Sequence, residues 1–178
     1  KKTQKIDEAW KKRMRKKYKK ERLNKEAPSL DHLTDLDGNK IDTRTLDDKI
    51  VIIDFWATWC GPCIDSFPHF QNMYDKYQKN SDVKFMIVNA GNTDSIEDIQ
   101  KWKEGNEYTF PMYYDVNSKA MKAFGVRGLP TTYILGNDGN IKFKKMGFEG
   151  PIMEKKMELN IEMLLGNKQS ANQASAQK

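Results

Sequence analysis

Trp59-Cys60-Gly61-Pro62-Cys63 contains the only two cysteines of a 178-residue chain, spaced C-x-x-C. Just before it, Ile50-Val51-Ile52-Ile53-Asp54-Phe55-Trp56-Ala57 places apolar and β-branched residues on both alternating faces, the pattern of a strand buried on both sides. The residues after it read as a helix, with Pro62 tolerated in a first turn whose N–H groups have no intrahelical partner. The two thiols are thus expected where a core strand ends and a helix begins.

A helix N-terminus favours an anion, so a cysteine there has a lowered pKa. Cys60 is expected to be the exposed, thiolate-prone member, and Cys63, one turn further in, the more buried one. Attack by one sulfur and resolution by the other is thiol–disulfide exchange. Two other readings exist. Structural zinc usually needs four ligands, and only His32 and His69 could join the cysteines, far from zinc-finger spacing. A purely structural Cys60–Cys63 disulfide would close so short a loop that it constrains little chain entropy.

Charge is unevenly spread. The formal net charge is +6, yet residues 1–27 carry thirteen Lys and Arg against four Asp and Glu, and the rest of the chain eighteen against twenty-one. Residues 5–26 contain neither Gly nor Pro, and Ile6, Trp10, Met14 and Tyr18 recur at i+4, which predicts a basic helix with a narrow apolar stripe. Such a helix is a solvated linker resting on its own domain or a second copy, a segment lying on an anionic membrane surface, or a partner-binding element. Nucleic acid is not expected, because nothing else forms a basic binding face. No apolar run reaches membrane-spanning length and no signal peptide is present. A chain beginning Lys1-Lys2 without Met is expected to be a processed or truncated product.

Ala27-Pro28-Ser29 is expected to break the basic helix and mark a boundary. The sequence predicts a hairpin over residues 30–42, turning at Asp37-Gly38-Asn39. Asp35, Asp37 and Asp42 faintly resemble a calcium loop but lack its spacing and terminal Glu, so an ordinary turn is expected. Helices are predicted to about Lys79 (kinked at Pro68), over 94–103 with Thr93 or Asp94 as cap, over 118–124 and over 151–165. Strands are predicted over 83–89, 110–114, 131–135 and 141–148. From Gly166 on, Gln, Asn, Ser and Ala predict a disordered tail. The expected organisation is an extension over 1–27, one α/β domain over 28–165 and a polar tail over 166–178.

The segment Ile53 to Cys63 resembles the active-site segment of thioredoxin, and Gly125-Val126-Arg127-Gly128-Leu129-Pro130-Thr131-Thr132 resembles its cis-proline loop. Gly147 stands where that family places a late glycine. The N-terminal hairpin, Ser66-Phe67-Pro68, the insertion from Asn89 to Gly125 and the stretch Phe110-Pro111-Met112-Tyr113-Tyr114-Asp115 are similar to the extracytoplasmic TlpA/ResA-type proteins. The resemblance implies a thioredoxin-like fold: a central mixed sheet flanked by helices, with an N-terminal hairpin and a basic N-terminal helix.

It also implies a disulfide reductase of protein substrates, tethered outside the cytoplasm, re-reduced by an upstream thiol donor and needing no metal or organic cofactor. Cys60 then matches the nucleophile, Cys63 the resolving cysteine and Asp54 the buried acid. Trp59, Gly61, Pro62, Leu129 and cis-Pro130 match the substrate-facing surface, while Trp56 packs beneath. An oxidase or isomerase would use the same cysteines. A membrane-surface or partner-binding module would make them secondary. Two positions depart from the family. Many ResA-type proteins carry a glutamate where this chain has Ser66, and thioredoxin's buried lysine has no counterpart in Phe85-Met86-Ile87-Val88. Peroxiredoxins carry P-x-x-x-T-x-x-C at the attacking cysteine, and the matching positions here are Ile53 and Ala57.

Overall fold

The computed structural model describes residues 2–176, and side chains from Asp7 onward. In chain order the elements are α1 (Lys2–Glu21), β1 (Lys25–Glu26), β2 (Leu33–Thr34), β3 (Ile50–Trp56), α2 (Gly61–Tyr77), β4 (Val83–Asn89), α3 (Ile96–Glu104), β5 (Met112–Asp115), α4 (Lys119–Ala123), β6 (Thr131–Leu135), β7 (Asn140–Met146) and α5 (Ile152–Ala176). The seven strands form one mixed sheet in the order β1-β7-β6-β3-β4-β5-β2. β3 and β4 run parallel, as do β4 and β5, while β6 and β7 return antiparallel as a hairpin.

β3 lies at the centre because it can be buried on both faces, and every one of its seven residues is buried. Ile50, Ile52 and Trp56 face a core shared with α2, α3 and α5, while Val51, Ile53 and Phe55 face a second core under α4 and the 27–46 segment. In the first core Trp56–Phe67, Trp56–Trp102, Phe67–Tyr108 and Phe67–Phe110 pack edge-on or tilted with ring centres 4.9–5.5 Å apart, while Tyr108 stacks on Trp102 and on Phe110. Emptying one such aromatic site costs about 3–5 kcal/mol, so this cluster is a rigid floor beneath the turn that follows β3.

The structure adds to and in places corrects the sequence-based expectation. The basic helix ends at Glu21, and Lys25–Glu26 then pairs antiparallel with Asn140 and Ile141 of β7. The sheet therefore begins ahead of Ala27-Pro28-Ser29. The 30–42 hairpin forms as expected but is short: the Asp35 N–H meets the Asn39 carbonyl at 2.9 Å, the Ile41 N–H meets the Leu33 carbonyl at 3.2 Å and Thr34 bridges Lys40, while β2 also pairs with β5. Its turn is held by Asp35, which accepts the N–H groups of Asp37 and Asn39. Helix α3 is capped by Ser95, in a reciprocal capping box with Asp98, and not by Thr93 or Asp94. Pro68 lies within α2, on its exposed side.

Finally, residues 166–176 continue α5 where a disordered tail was expected. Lys168 anchors them. Its Nζ meets the Asp48 carbonyl at 2.7 Å, Asp82 Oδ1 at 2.8 Å and Asp48 Oδ2 at 2.9 Å. Gln177 and Lys178, the end of that expected tail, lie outside the described residues.

Candidate active site

Chain direction sets the site. β3 ends at Trp56, a tight turn brings the Cys60 N–H to the Ala57 carbonyl at 3.1 Å, and α2 starts at Gly61. Cys60 is the N-cap of α2: its backbone is extended and its Sγ accepts the Cys63 N–H at 3.3 Å. The helix thus directs an unpaired N–H at this sulfur, the geometry that stabilises a thiolate once the bond is reduced. Cys60 and Cys63 form a disulfide. In this oxidised state Cys60 is only 3% exposed and Cys63 fully buried, which corrects the expectation of an open Cys60. Gly61 and Pro62 remain exposed, and Trp59 projects from the surface at 62% exposure.

Asp54 is fully buried and, alternating with Ile52 and Trp56 along β3, lies on the face of the sheet whose core holds Cys63. Its cross-strand partner in β6 is Thr132, whose hydroxyl donates to Asp54 Oδ1 at 2.7 Å, while Oδ2 has no hydrogen-bond partner among the described residues. Burial pushes the Asp54 carboxyl up to about 8, and the Thr132 hydrogen bond pulls the other way. Thr132 was not recognised in the sequence; the signal available was a hydroxyl residue at an inward position of a strand flanked by Thr131 and Tyr133.

The Leu129–Pro130 peptide bond is cis. The Pro130 carbonyl accepts the Gly147 N–H at 2.8 Å, and Gly147 adopts φ +79°, which favours glycine. Leu129 is half-buried and packs against both cores. Ser66, at the position where many ResA-type proteins carry glutamate, is buried and donates to the Cys63 carbonyl at 2.6 Å. It supplies no acid.

A second set of residues, Asn89, Thr93 and Asp94, also escaped the sequence reading. Asp94 is buried after β4 and accepts the Thr58 N–H, the Thr58 hydroxyl and the Asn89 side-chain amide, each at 2.7 Å. Thr93 accepts the Trp59 indole N–H at 2.7 Å. The segment after β4 therefore brackets the turn that precedes Cys60. Among the described residues no three His, Cys, Asp or Glu side chains group as metal ligands would; His69 lies against Glu154 at 2.5 Å between α2 and α5.

Comparison with known proteins agrees with this geometry. Residues 23–144 match the AhpC/TSA family. The thiol-disulfide oxidoreductase ResA of Bacillus thuringiensis subsp. konkukian is 33% identical over 125 residues, 70% of each chain. ResA of Halalkalibacterium halodurans is 34% identical over 128 residues, 71% of each chain. A Chlorobium tepidum crystal structure, described as a DsbE thiol:disulfide interchange protein, superposes with a TM-score of 0.69 at 26% identity, covering 79% of this chain and 96% of that one. The cysteine pair at the head of α2, on a thioredoxin-like sheet, makes this chain a thiol-disulfide oxidoreductase of the AhpC/TSA family, in its ResA-like branch.

Proposed function

We propose that the protein reduces disulfides of protein substrates outside the cytoplasm. The observation that carries this reading is the Cys60–Cys63 pair capping α2 with Asp54 buried on the same face of the sheet. In the reduced protein the Cys60 thiolate attacks a substrate disulfide, forming a mixed disulfide and releasing one substrate thiolate, which takes a proton from solvent. Asp54, as carboxylate, accepts the Cys63 thiol proton. The Cys63 thiolate then attacks Cys60 Sγ, closes the internal disulfide and releases the second substrate thiolate. Two electrons pass to the substrate, and an upstream dithiol donor must restore the pair. Trp59, Gly61 and Pro62, with the half-buried Leu129 held by the buried cis-Pro130 behind it, form the surface on which an extended substrate segment lies. No organic cofactor or metal enters these steps.

The Gly-Pro dipeptide between the cysteines is the thioredoxin choice and supports the reducing direction. The test is the reduction potential of the pair, by equilibration in thiol buffers of known poise. A value near thioredoxin's, about −270 mV, supports a reductase. One near the strong oxidants, about −120 mV, reverses the direction and makes the protein an oxidase or isomerase.

Membrane contact through residues 1–27 is a second reading with a narrower base. Trp10, Met14 and Tyr18 are half-buried, and the Tyr18 ring meets Phe143 edge-on at 5.7 Å, so much of the apolar stripe is turned to the protein's own domain. The outward face of α1, with Lys12, Lys16 and Lys19, remains as a purely electrostatic contact for anionic lipid. Binding to anionic vesicles that vanishes at high salt would support it. No helix among the described residues is long and apolar enough to cross a membrane.

A further inference from the structure

Asp54 has no exposed atom, yet the cycle proposed above loads it with a proton at every turnover and requires that proton to leave. One described side chain donates to its carboxylate, Thr132, and Thr132 is itself half-buried because its far side lines a cavity of about 360 Å³. The inner walls are Ile134, Phe143 and Gly147 on the sheet side and Met153, Met157 and Asn160 on α5. The outer wall is α1 and the residues after it: Met14, Tyr18 and Leu23. Asn160 is 8% exposed, lines the same cavity, and its Oδ1 has no hydrogen-bond partner among the described residues. A hollow whose lining combines these apolar residues with Thr132, Asn160 and the charged Lys17, Glu21, Lys144, Lys145, Glu149 and Lys156, with Thr132 touching the buried acid, is suited to a short file of solvent.

We propose that Thr132 is the positioning residue through which Asp54 exchanges its proton with this cavity, and that α1 is the cavity's movable outer wall. The inference rests on the assignment of Asp54 to the redox cycle. In the unloading step, protonated Asp54 donates to Thr132 Oγ1 while the Thr132 hydroxyl proton passes to cavity water; the reverse file of bonds reloads it. The threonine is unchanged over the exchange and no electron moves. The wall is held by its half-buried stripe of Trp10, Met14 and Tyr18, with only weak ion pairs beside it. Arg15–Glu162 at 3.8 Å and Lys155–Asp7 at 3.7 Å are exposed pairs, which contribute little, and the edge-on Tyr18–Phe143 contact is the aromatic seal. A pull or a partner acting on α1 thereby reaches the active-site acid without touching either cysteine.

The charged and titratable groups around the route are few. α1 contributes Lys17, Tyr18 and Glu21; β7 and the residues after it contribute Lys144, Lys145 and Glu149; and α5 contributes Lys156. Glu149 already takes Lys145 and Lys156. From α2 come Cys63 and, further along, His69 against Glu154 and Lys76 against Glu158.

The test uses the full chain with its disulfide closed, so that neither cysteine titrates, and follows the Asp54 carboxyl by carbon NMR of aspartate-labelled protein, assigned by its loss in Asp54→Asn. Thr132→Val is expected to raise the Asp54 midpoint by about half a unit or more, since it removes a hydrogen bond to the ionised form, and to slow proton exchange at that carboxyl. Thr132→Ser should restore both. Tyr18→Ala and Met14→Ala, which open the outer wall, are expected to lower the midpoint and speed the exchange, whereas Lys12→Ala on the outward face should do neither. Unchanged midpoint and exchange in Thr132→Val would overturn the route. A Thr132→Val effect with no response to Tyr18→Ala or Met14→Ala would overturn the role of α1. If Asp54→Asn also leaves the pH profile of disulfide reduction unaltered, the assignment of Asp54 itself has failed, and this inference with it.

Discussion

The Trp59 indole N–H donates to Thr93 Oγ1 at 2.7 Å, so the most exposed aromatic ring at the active site is tied to a loop thirty-four residues away. The next residue, Asp94, holds the Thr58 backbone and hydroxyl, and Asn89 braces Asp94. Trp59 and the turn into Cys60 are thus fixed from the end of β4, beside the strand that carries them.

Asp94→Ala would leave the Thr58 N–H and hydroxyl and the Asn89 amide without their acceptor in a largely covered site. The expected cost is about 2–4 kcal/mol, seen as a lower denaturant midpoint at unchanged slope. Thr93→Val removes one exposed hydrogen bond and should cost under about 1 kcal/mol. Its effect should instead fall on substrate KM and on Trp59 fluorescence, because the indole is freed. Equal stability losses in the two variants would contradict the division of labour between Asp94 as brace and Thr93 as tether.

The bracket depends on one glycine. Gly91 sits at φ +65° with its N–H on Asn89 Oδ1 at 3.0 Å, and a Cβ there would lie 2.0 Å from the Asp115 carbonyl oxygen. Backbone must move to admit it. Gly91→Ala is therefore expected to cost more than about 3 kcal/mol, among the largest single-substitution effects in the protein. A thermal midpoint within a degree or two of the parent would show that β5 yields more easily than this contact implies.

These residues mark where the sequence became unreadable. β4 and β6 have the bounds that their apolar runs predicted, because burial on both faces writes itself into consecutive residues. Asn92-Thr93-Asp94-Ser95 offered four adjacent capping side chains for α3. Local rules chose Thr93 or Asp94, but both are engaged by Thr58 and Trp59, leaving Ser95 as cap. A surplus of cap-forming residues was the available sign that some of them had distant work. Lys25–Glu26 carries no strand signal at all; its backbone pairs because β7 presents an open edge. Of the candidate site, the cysteine pair was legible from a two-sided strand meeting a C-x-x-C, and Asp54 entered only through the resemblance to thioredoxin's active-site segment. Thr132 was not legible, since its importance comes from cross-strand register with Asp54.

The polar end of α5 misled composition in the same way. Its low apolar content suggested disorder, but one nearly covered lysine reaches Asp48 and Asp82 in the loops that flank β3 and β4. Lys168→Ala should release amide protection over residues 167–176 to that of a frayed end while leaving residues 152–164 protected, read by hydrogen exchange. Protection retained throughout would mean that helix propensity alone, including the Ser170 and Ser175 hydroxyl bonds to the preceding turn, holds this segment.

Asp54 makes the stability of the oxidised protein depend on pH in an unusual direction. Its ordinary carboxyl value is 3.8 and burial raises it to about 8 in the folded state. Between these values the native protein holds a proton that the unfolded chain releases, so stability is greatest below about pH 4 and declines until about pH 8. Many other carboxylates act oppositely at the acid end: Asp35, Asp42, Asp48 and Asp98 lie below their ordinary value through hydrogen bonds and lose their contribution as pH falls through that low range. The window from pH 5 to pH 9 therefore leaves those low carboxylates out, and Asp54→Asn separates Asp54 from Asp115, whose carboxyl burial also raises. Urea unfolding of the disulfide form should give a fall on the order of a few kcal/mol across that window, and Asp54→Asn should flatten it and be the more stable protein at pH 9. A parent curve already flat from pH 5 to pH 9 would mean that the carboxylate is solvated through the Thr132 side even with α1 in place.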